Sequence, residues 1–364
     1  MVLLGSTGSI GVNTLQVARE FGIKVEVLCA GRNITLLNEQ IQAFKPKIVV
    51  IQDRADEGKL NPQGAKVLFS QEGIKEALET CESSLVINAL VGIAGLYPSY
   101  IAMQRQKTLA LANKESLVTA GWLFEGYPII PIDSEHFGIW YLLNDRPIES
   151  LIITASGGAF RDLPLESIPS QKAAAALKHP NWKMGNKITI DSATMLNKLF
   201  EILEARWLFN HAHINALIER TSSIHALLSF KDGSLSAHFA SPDMKLPISY
   251  ALDPQKAVQS CLIPPLCPAA LPALRLEPID PARYPLWHIK DEILHSPKLG
   301  AILNASNEIL VQNFLKDKIR FGTITSHILK TLEHFAPIAS SLNDLESILE
   351  LDKEVRIYTQ NLLQ

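Results

Sequence analysis

The first third of the chain alternates short apolar runs with amphipathic stretches, and this pattern restricts the fold more than any other feature. "MVLLG", "VEVLCAG", "KIVVIQD" and "LVINALVG" are β-rich, and helical stretches near Ser9 to Glu20, Leu36 to Phe44 and Gly73 to Leu78 separate them. Continuously apolar strands need cover on both faces. Intervening helices supply that cover only in a parallel, doubly wound α/β sheet. Further strands are expected at "KTLALAN" and "YPIIPID", which places a first domain over residues 1–133.

The next region mixes elements in the manner of an α+β domain, residues 134–258. Strands are expected at "IESLIITA", "KITID" and "SIHALLSF". Helices are expected around Gln171 to Lys178 and from near Ala193 to Phe209, and "KDGSLSAHF" reads as a hairpin turning at Asp232 and Gly233. Prolines crowd residues 259–285 and predict a linker without regular structure. Helical periodicity fills 286–364 and predicts a small helical domain.

"GSTGSIG" follows the first strand directly and opens the first helix. Gly5 permits a tight turn, Gly8 a close backbone approach to a pyrophosphate, and Gly11 tight helix packing, with phosphates at the helix N-terminus. The second strand ends "LCAGRN", with Gly31, Arg32 and Asn33 and no acid for a ribose 2'-hydroxyl. NADP(H) is therefore favoured over NAD(H), against the alternative of Arg32 as a solvated surface side chain.

Asp133 and Glu135 are two residues apart at the end of a predicted strand, where an extended backbone would turn both to one face. In "DSATMLNKLFEILEARW", Asp191 or Ser192 can start a helix on which Asn197 and Glu201 stand one turn apart, with Lys198 beside them. Three carboxylates suit a hard cation, Mg²⁺ or Mn²⁺, with Co²⁺ a further candidate. The alternative is a solvent-facing Glu201 and an Asp133 that caps a strand. Ser156 in "TASGGAF", His179 and Asn181 in "KHPNWKMG", and Ser192, Asn197 and Lys198 form a candidate phosphate cradle at a helix start. "HPNWKMG" also reads as a lid, bounded by Pro180 and a Gly185 hinge around exposed Trp182 and Met184.

A net charge of -3, without a long basic block, argues against nucleic acid. No apolar run reaches the roughly 20 residues of a membrane span, and "MVLLGSTGSIG" enters a structured motif at once, so neither membrane association nor a targeting segment is expected. Cys29, Cys81, Cys261 and Cys267 form no C-x-x-C pair and read as reduced, mostly buried thiols of a cytoplasmic protein.

Taken in order, "GSTGSIG", "ANKES", "DSEH", "SGG", "HPNWxMG", "DSATMxNK" and "NAxNE" resemble the 1-deoxy-D-xylulose 5-phosphate reductoisomerase family over almost the whole chain. The resemblance implies a homodimer acting on a small phosphorylated sugar, with an NADPH domain, a central catalytic domain and a C-terminal helical domain. It implies rearrangement of the substrate to a branched aldehyde and reduction to 2-C-methyl-D-erythritol 4-phosphate. The metal ligands it implies are Asp133, Glu135 and Glu201. Lys114 would approach substrate and metal, and Ser134 would hold a substrate hydroxyl. Ser156, His179, Ser192, Asn197 and Lys198 would surround the substrate and its phosphate, and Trp182 would cover it. The cofactor set expected is Gly5, Ser6, Thr7, Gly8, Ser9, Ile10, Gly31, Arg32, Asn33, Asn113, Glu115, Met184 and Gly185, and the resemblance implies that Met184 would border the nicotinamide.

Three departures stand out. The family commonly has N-K-G-L-E where Asn197 to Glu201 stand here. It has His-Pro before Gln-Ser where Glu219 and Arg220 precede Thr221 and Ser222, and lysine in place of Arg32. The rival expectation is another NADP-dependent dehydrogenase for a small phosphorylated or semialdehyde substrate. A semialdehyde enzyme would typically carry a catalytic cysteine, and no site motif here holds one.

Overall fold

The computed structural model describes residues 1–182, 184–271 and 273–364. The chain forms two compact units, one from 1–116, 126–137 and 243–264, the other from 117–125, 138–242 and 265–364.

The first unit carries a seven-stranded sheet, wholly parallel: β1 (Val2–Leu4), β2 (Val27–Ala30), β3 (Ile48–Ile51), β4 (Lys66–Phe69), β5 (Leu85–Asn88), β6 (Thr108–Leu111) and β7 (Ile129–Pro131). Its order is β4-β3-β2-β1-β5-β6-β7, so the winding reverses beside β1. Ligands of open α/β sheets bind outside the strand C-termini at such a reversal, where the glycine motif lies. β1, β2 and β3 are buried throughout, as expected of strands covered on both faces. Strand β4, absent from the sequence reading, is an edge strand with one partner and a single fully buried residue.

Helix Ser9–Phe21 buries Leu15, Val17, Ala18 and Phe21 on this sheet and ends at Gly22, whose left-handed backbone returns N–H bonds to Ala18 and Arg19. Helices Lys245–Leu252 and Pro254–Gln259 belong to this unit. Ile248, Ala251 and Ala257 join the core that contains Leu15 and Val17, and Lys256 Nζ donates to Phe21 O at 2.6 Å.

The second unit is built on a mixed sheet, β11-β10-β8-β9-β12, of β8 (Ile148–Ala155), β9 (Ile214–Glu219), β10 (Ile224–Phe230), β11 (Leu235–Phe239) and β12 (Leu276–Pro278). β8 and β9 run parallel and the other pairs antiparallel. The β10–β11 hairpin turns as expected: Asp232 Oδ1 accepts from Ser234 N, and Gly233 takes φ 86°. Helices Leu299–Leu315, Phe321–Ala339 and Leu345–Asn361 complete the C-terminal region, the last begun by an Asp344/Ser347 capping box.

Several expectations need correction. "KITID" alternates like a strand but lies in helix Asn186–Thr194. Thr189 N and Oγ1 both bond Gly185 O, and Ile190 and Asp191 are buried, so tertiary burial overrides the β-type pattern. The next helix starts at Leu196 rather than at Asp191 or Ser192, because Met195 is left-handed at φ 66°. The alanine-rich helix spans only Ala173–Ala176. The proline-rich linker contains β12, tolerated because an edge strand needs only one partner. Cys29 and Cys81 are buried, whereas Cys261 and Cys267 are exposed.

Candidate active site

The glycine motif is made by close packing. Gly5 has φ 86°, and a Cβ there would meet Ala89 O at 2.5 Å; at Gly11 it would meet Gly5 O at 2.3 Å. Gly8 is exposed and crowded only at 3.4 Å, leaving its outer side open to a ligand. Gly5 N and Ser6 N donate to Cys29 O at 2.9 Å each, and Gln40 Nε2 braces Ser6 O at 2.8 Å. Ser6 is therefore a buried support, while Thr7, Ser9 and Ile10 reach the surface to different degrees.

Past β2, Gly31, Arg32 and Asn33 are exposed, and Asn33 Oδ1 caps the next helix by accepting from Leu36 N. Asn113 is wholly buried: Nδ2 donates to Leu90 O, Gly92 O and Glu115, and Oδ1 accepts from Ser116 N. These bonds tie the loops after β5 and β6 together, a positioning job that composition alone does not reveal.

Asp133 and Glu135 do not share a strand face. β7 ends at Pro131, and Ser134–Leu142 is helix, with Asp133 immediately before it. The turn still brings a carboxylate oxygen of Asp133 within 4.8 Å of one from Glu135. Lys114, 5% exposed, puts Nζ 2.5 Å from Asp133 Oδ2, and Ser134 Oγ donates to Glu135 Oε2 at 2.6 Å. His136, which the sequence reading passed over, is fully buried with Nδ1 3.9 Å from Asp133 Oδ2. Its signal was the i,i+3 spacing from Asp133.

In the second unit, Glu201 is 1% exposed, which removes the solvent-facing alternative. Lys198 Nζ pairs with it and also donates to Thr154 O, and Asn197 Nδ2 donates to Glu201 Oε1. Leu199 and Phe200, departures from the family pattern, are core residues.

His179 Nε2 lies 3.0 Å from Ser156 Oγ and 3.3 Å from Ser192 Oγ, while Nδ1 accepts from Asn181 N and Trp182 N at 3.2 and 3.0 Å. Burial, and then the Arg161 charge, lower its pKa to about 4, so the ring is neutral at pH 7 with its proton on Nε2. Ser192 sits in the last turn of helix Asn186–Thr194 rather than at a helix start, its hydroxyl converging with that of Ser156 on the imidazole, whereas Asn197 and Lys198 lie in the first turn of helix Leu196–Phe209. Trp182 and Met184 are half-buried rather than exposed, and Lys183 lies outside the described residues. Gly185 has ordinary extended angles with nothing near its Cβ position, so its conformation does not require glycine.

Three family models match the chain: 1-deoxy-D-xylulose 5-phosphate reductoisomerase over residues 1–121, its C-terminal domain over 129–209, and the DXP reductoisomerase C-terminal domain over 239–358. The chain belongs to the 1-deoxy-D-xylulose 5-phosphate reductoisomerase family. A reductoisomerase of Helicobacter pylori is 57% identical over 359 residues, 98% of each chain, and one of Wolinella succinogenes 55% over 363 residues, all of both. A solved DOX-P reductoisomerase in complex with NADPH, fosmidomycin and magnesium superposes with a TM-score of 0.93 at 31% identity, over 100% of this chain and 97% of that one. The Zymomonas mobilis reductoisomerase in complex with NADPH gives 0.89 at 32%, over 100% and 98%. As a reductoisomerase, the chain is an NADP-dependent oxidoreductase that couples an intramolecular rearrangement to reduction.

Proposed function

We propose that Asp133, Glu135 and Glu201 hold one divalent cation, Mg²⁺ or Mn²⁺ with Co²⁺ as a substitute, and that the phosphate of the substrate is met by Ser156, Ser192, Asn197 and Lys198. The reaction is conversion of 1-deoxy-D-xylulose 5-phosphate to 2-C-methyl-D-erythritol 4-phosphate, in non-mevalonate isoprenoid biosynthesis. The observation that carries the metal assignment is the donor set: Asp133 and Glu135 bring carboxylate oxygens within 4.8 Å of each other, Glu201 offers another from a position 1% exposed, and hard anionic oxygen throughout fits a small divalent cation. When bound, the cation supplies Lewis-acid polarisation of substrate oxygens, and NADPH supplies the hydride.

The residues of the chain bind and orient. Ser156 Oγ accepts from Gly158 N at 3.2 Å and from His179 Nε2, so its own proton is left to donate to an anionic oxygen. Ser192 has the same imidazole beside it. Lys114 and Ser134 face the substrate hydroxyls in this reading, and Trp182 and Met184 cover substrate and nicotinamide. Arg32 with Asn33 receives the 2'-phosphate of NADPH, supported by the exposure of both and the lack of an acid after β2. The reading includes a homodimer, supported by edge strand β11 with exposed Leu235 and Phe239. It also includes a cytoplasmic setting, which suits four free thiols, two of them exposed.

The test is NADPH oxidation with the deoxyxylulose phosphate, with and without Mg²⁺ or Mn²⁺. Chelation should abolish turnover and leave NADPH binding intact. Glu201→Gln should weaken metal affinity by calorimetry and slow kcat by roughly two orders of magnitude, a loss of about 3 kcal/mol in the transition state. Full activity after exhaustive chelation removes the metal, and wild-type metal affinity in the variant removes Glu201.

A further inference from the structure

We propose that the β9–β10 turn is the seat on which the segment His179–Trp182 rests, and that the buried carboxylate of Glu219 is the positioning residue that shapes this seat. The inference deepens the substrate-site reading above and rests on it. Glu219 is 1% exposed. Its Oε1 accepts from Thr221 N at 2.8 Å, and its Oε2 from Ser223 N at 2.8 Å and Ile224 N at 3.2 Å, while Thr221 Oγ1 donates between the two oxygens. Backbone donors thus surround the anion and hold a turn whose Ser222 is left-handed at φ 56°.

The outer rim of that turn carries the site. Asn181 Nδ2 donates to Arg220 O at 2.8 Å and to Ser222 Oγ at 2.7 Å. Arg161 Nη1 donates to the same Arg220 O at 2.9 Å and to Ser156 O at 2.8 Å. One carbonyl oxygen therefore fixes both the Asn181 segment and the Ser156 loop, and the Ser156 hydroxyl in turn meets His179. The Arg220 side chain steadies the turn from outside through Asp162 and Glu277.

Glutamine at 219 keeps the volume but offers one acceptor oxygen and a donor NH2 group, so it cannot accept on both sides. In the full-length enzyme, Glu219→Gln should raise KM for the deoxyxylulose phosphate about tenfold, the equivalent of about 1.4 kcal/mol, while KM for NADPH stays within about twofold. Thr221→Val removes a single donor and should shift KM the same way by about threefold, which keeps the test open if the first variant folds poorly. Combining Glu219→Gln with Asn181→Ala should give less than the product of the separate effects, because both act through one contact. Wild-type substrate KM in the folded Glu219 or Thr221 variant overturns the seat, as do equal rises in both KM values or a fully multiplicative double variant. Ser156→Ala, run beside them, separates the two readings: a raised KM there with no effect at Glu219 sinks the seat alone, and no effect at either sinks the substrate site too.

Discussion

His179 is the residue whose chemistry depends most on its surroundings. A histidine held at about pKa 4 when folded and near 6.5 when unfolded is protonated in the unfolded chain first as the pH falls. Stability should therefore decrease between about pH 6.5 and about pH 4 and level off below. His238, also lowered to about 4 by burial and then by the charge of His225, adds to the same slope. Melting temperatures of wild type and His179→Gln across that window test this: the variant should show a shallower loss, and an unchanged slope would show that His179 titrates normally. His179 and its serine partners were visible in the sequence as donors to a phosphate. What the sequence did not carry was the tautomer, because two backbone N–H groups from a non-repeating segment decide it.

At the scale of elements, the decisive contacts are between backbones. Gly158, at φ 67°, would place a Cβ 2.7 Å from Ser192 O and 2.8 Å from Ala193 Cα. Helix Asn186–Thr194 lies directly against the loop after β8, and no side chain there can move aside. Gly158→Ala should cost at least about 1 kcal/mol from the left-handed backbone alone and should also raise the substrate KM by pushing Ser156 away from Ser192. Calorimetric melting with steady-state kinetics checks both, and an alanine variant matching wild type in each would show that the loop yields. The same helix explains a misreading. "KITID" has the alternation of a strand, but Asp191 pairs with Lys187 one helical turn back at 2.7 Å and accepts from Asn307 Nδ2 at 2.8 Å, the second of which draws the segment onto helix Leu299–Leu315. "NAxNE" was recognisable as a motif, yet its partner 116 residues away was not.

For the molecule as a whole, the open feature is the edge of the mixed sheet. β11 ends the sheet with Leu235 57% and Phe239 43% exposed, and an apolar edge of this kind invites strand pairing with a second copy. The proposed dimer should run in light scattering at roughly 80 kDa, twice the 40.2 kDa chain mass. Leu235→Lys with Phe239→Lys should shift it toward the monomer. A wild-type enzyme of 40.2 kDa at working concentration would rule the dimer out.

The sequence alone determined the parallel sheet and its glycine turn, because burial on both faces and local backbone demands leave their marks on neighbouring residues. It also carried the hairpin at Asp232 and Gly233, where the turn is local. Only the tertiary structure decided that Asp133 stands before a helix rather than in a strand, that the expected strand "KITID" is a helix which a left-handed Met195 separates from the next, and that residues 243–264 pack on the first unit. The role of Glu219 belongs to the same class. Each of these depends on contacts made after the chain has folded back on itself, and local propensities of a few tenths of a kcal/mol, about the size of ordinary helix preferences, yield to such contacts.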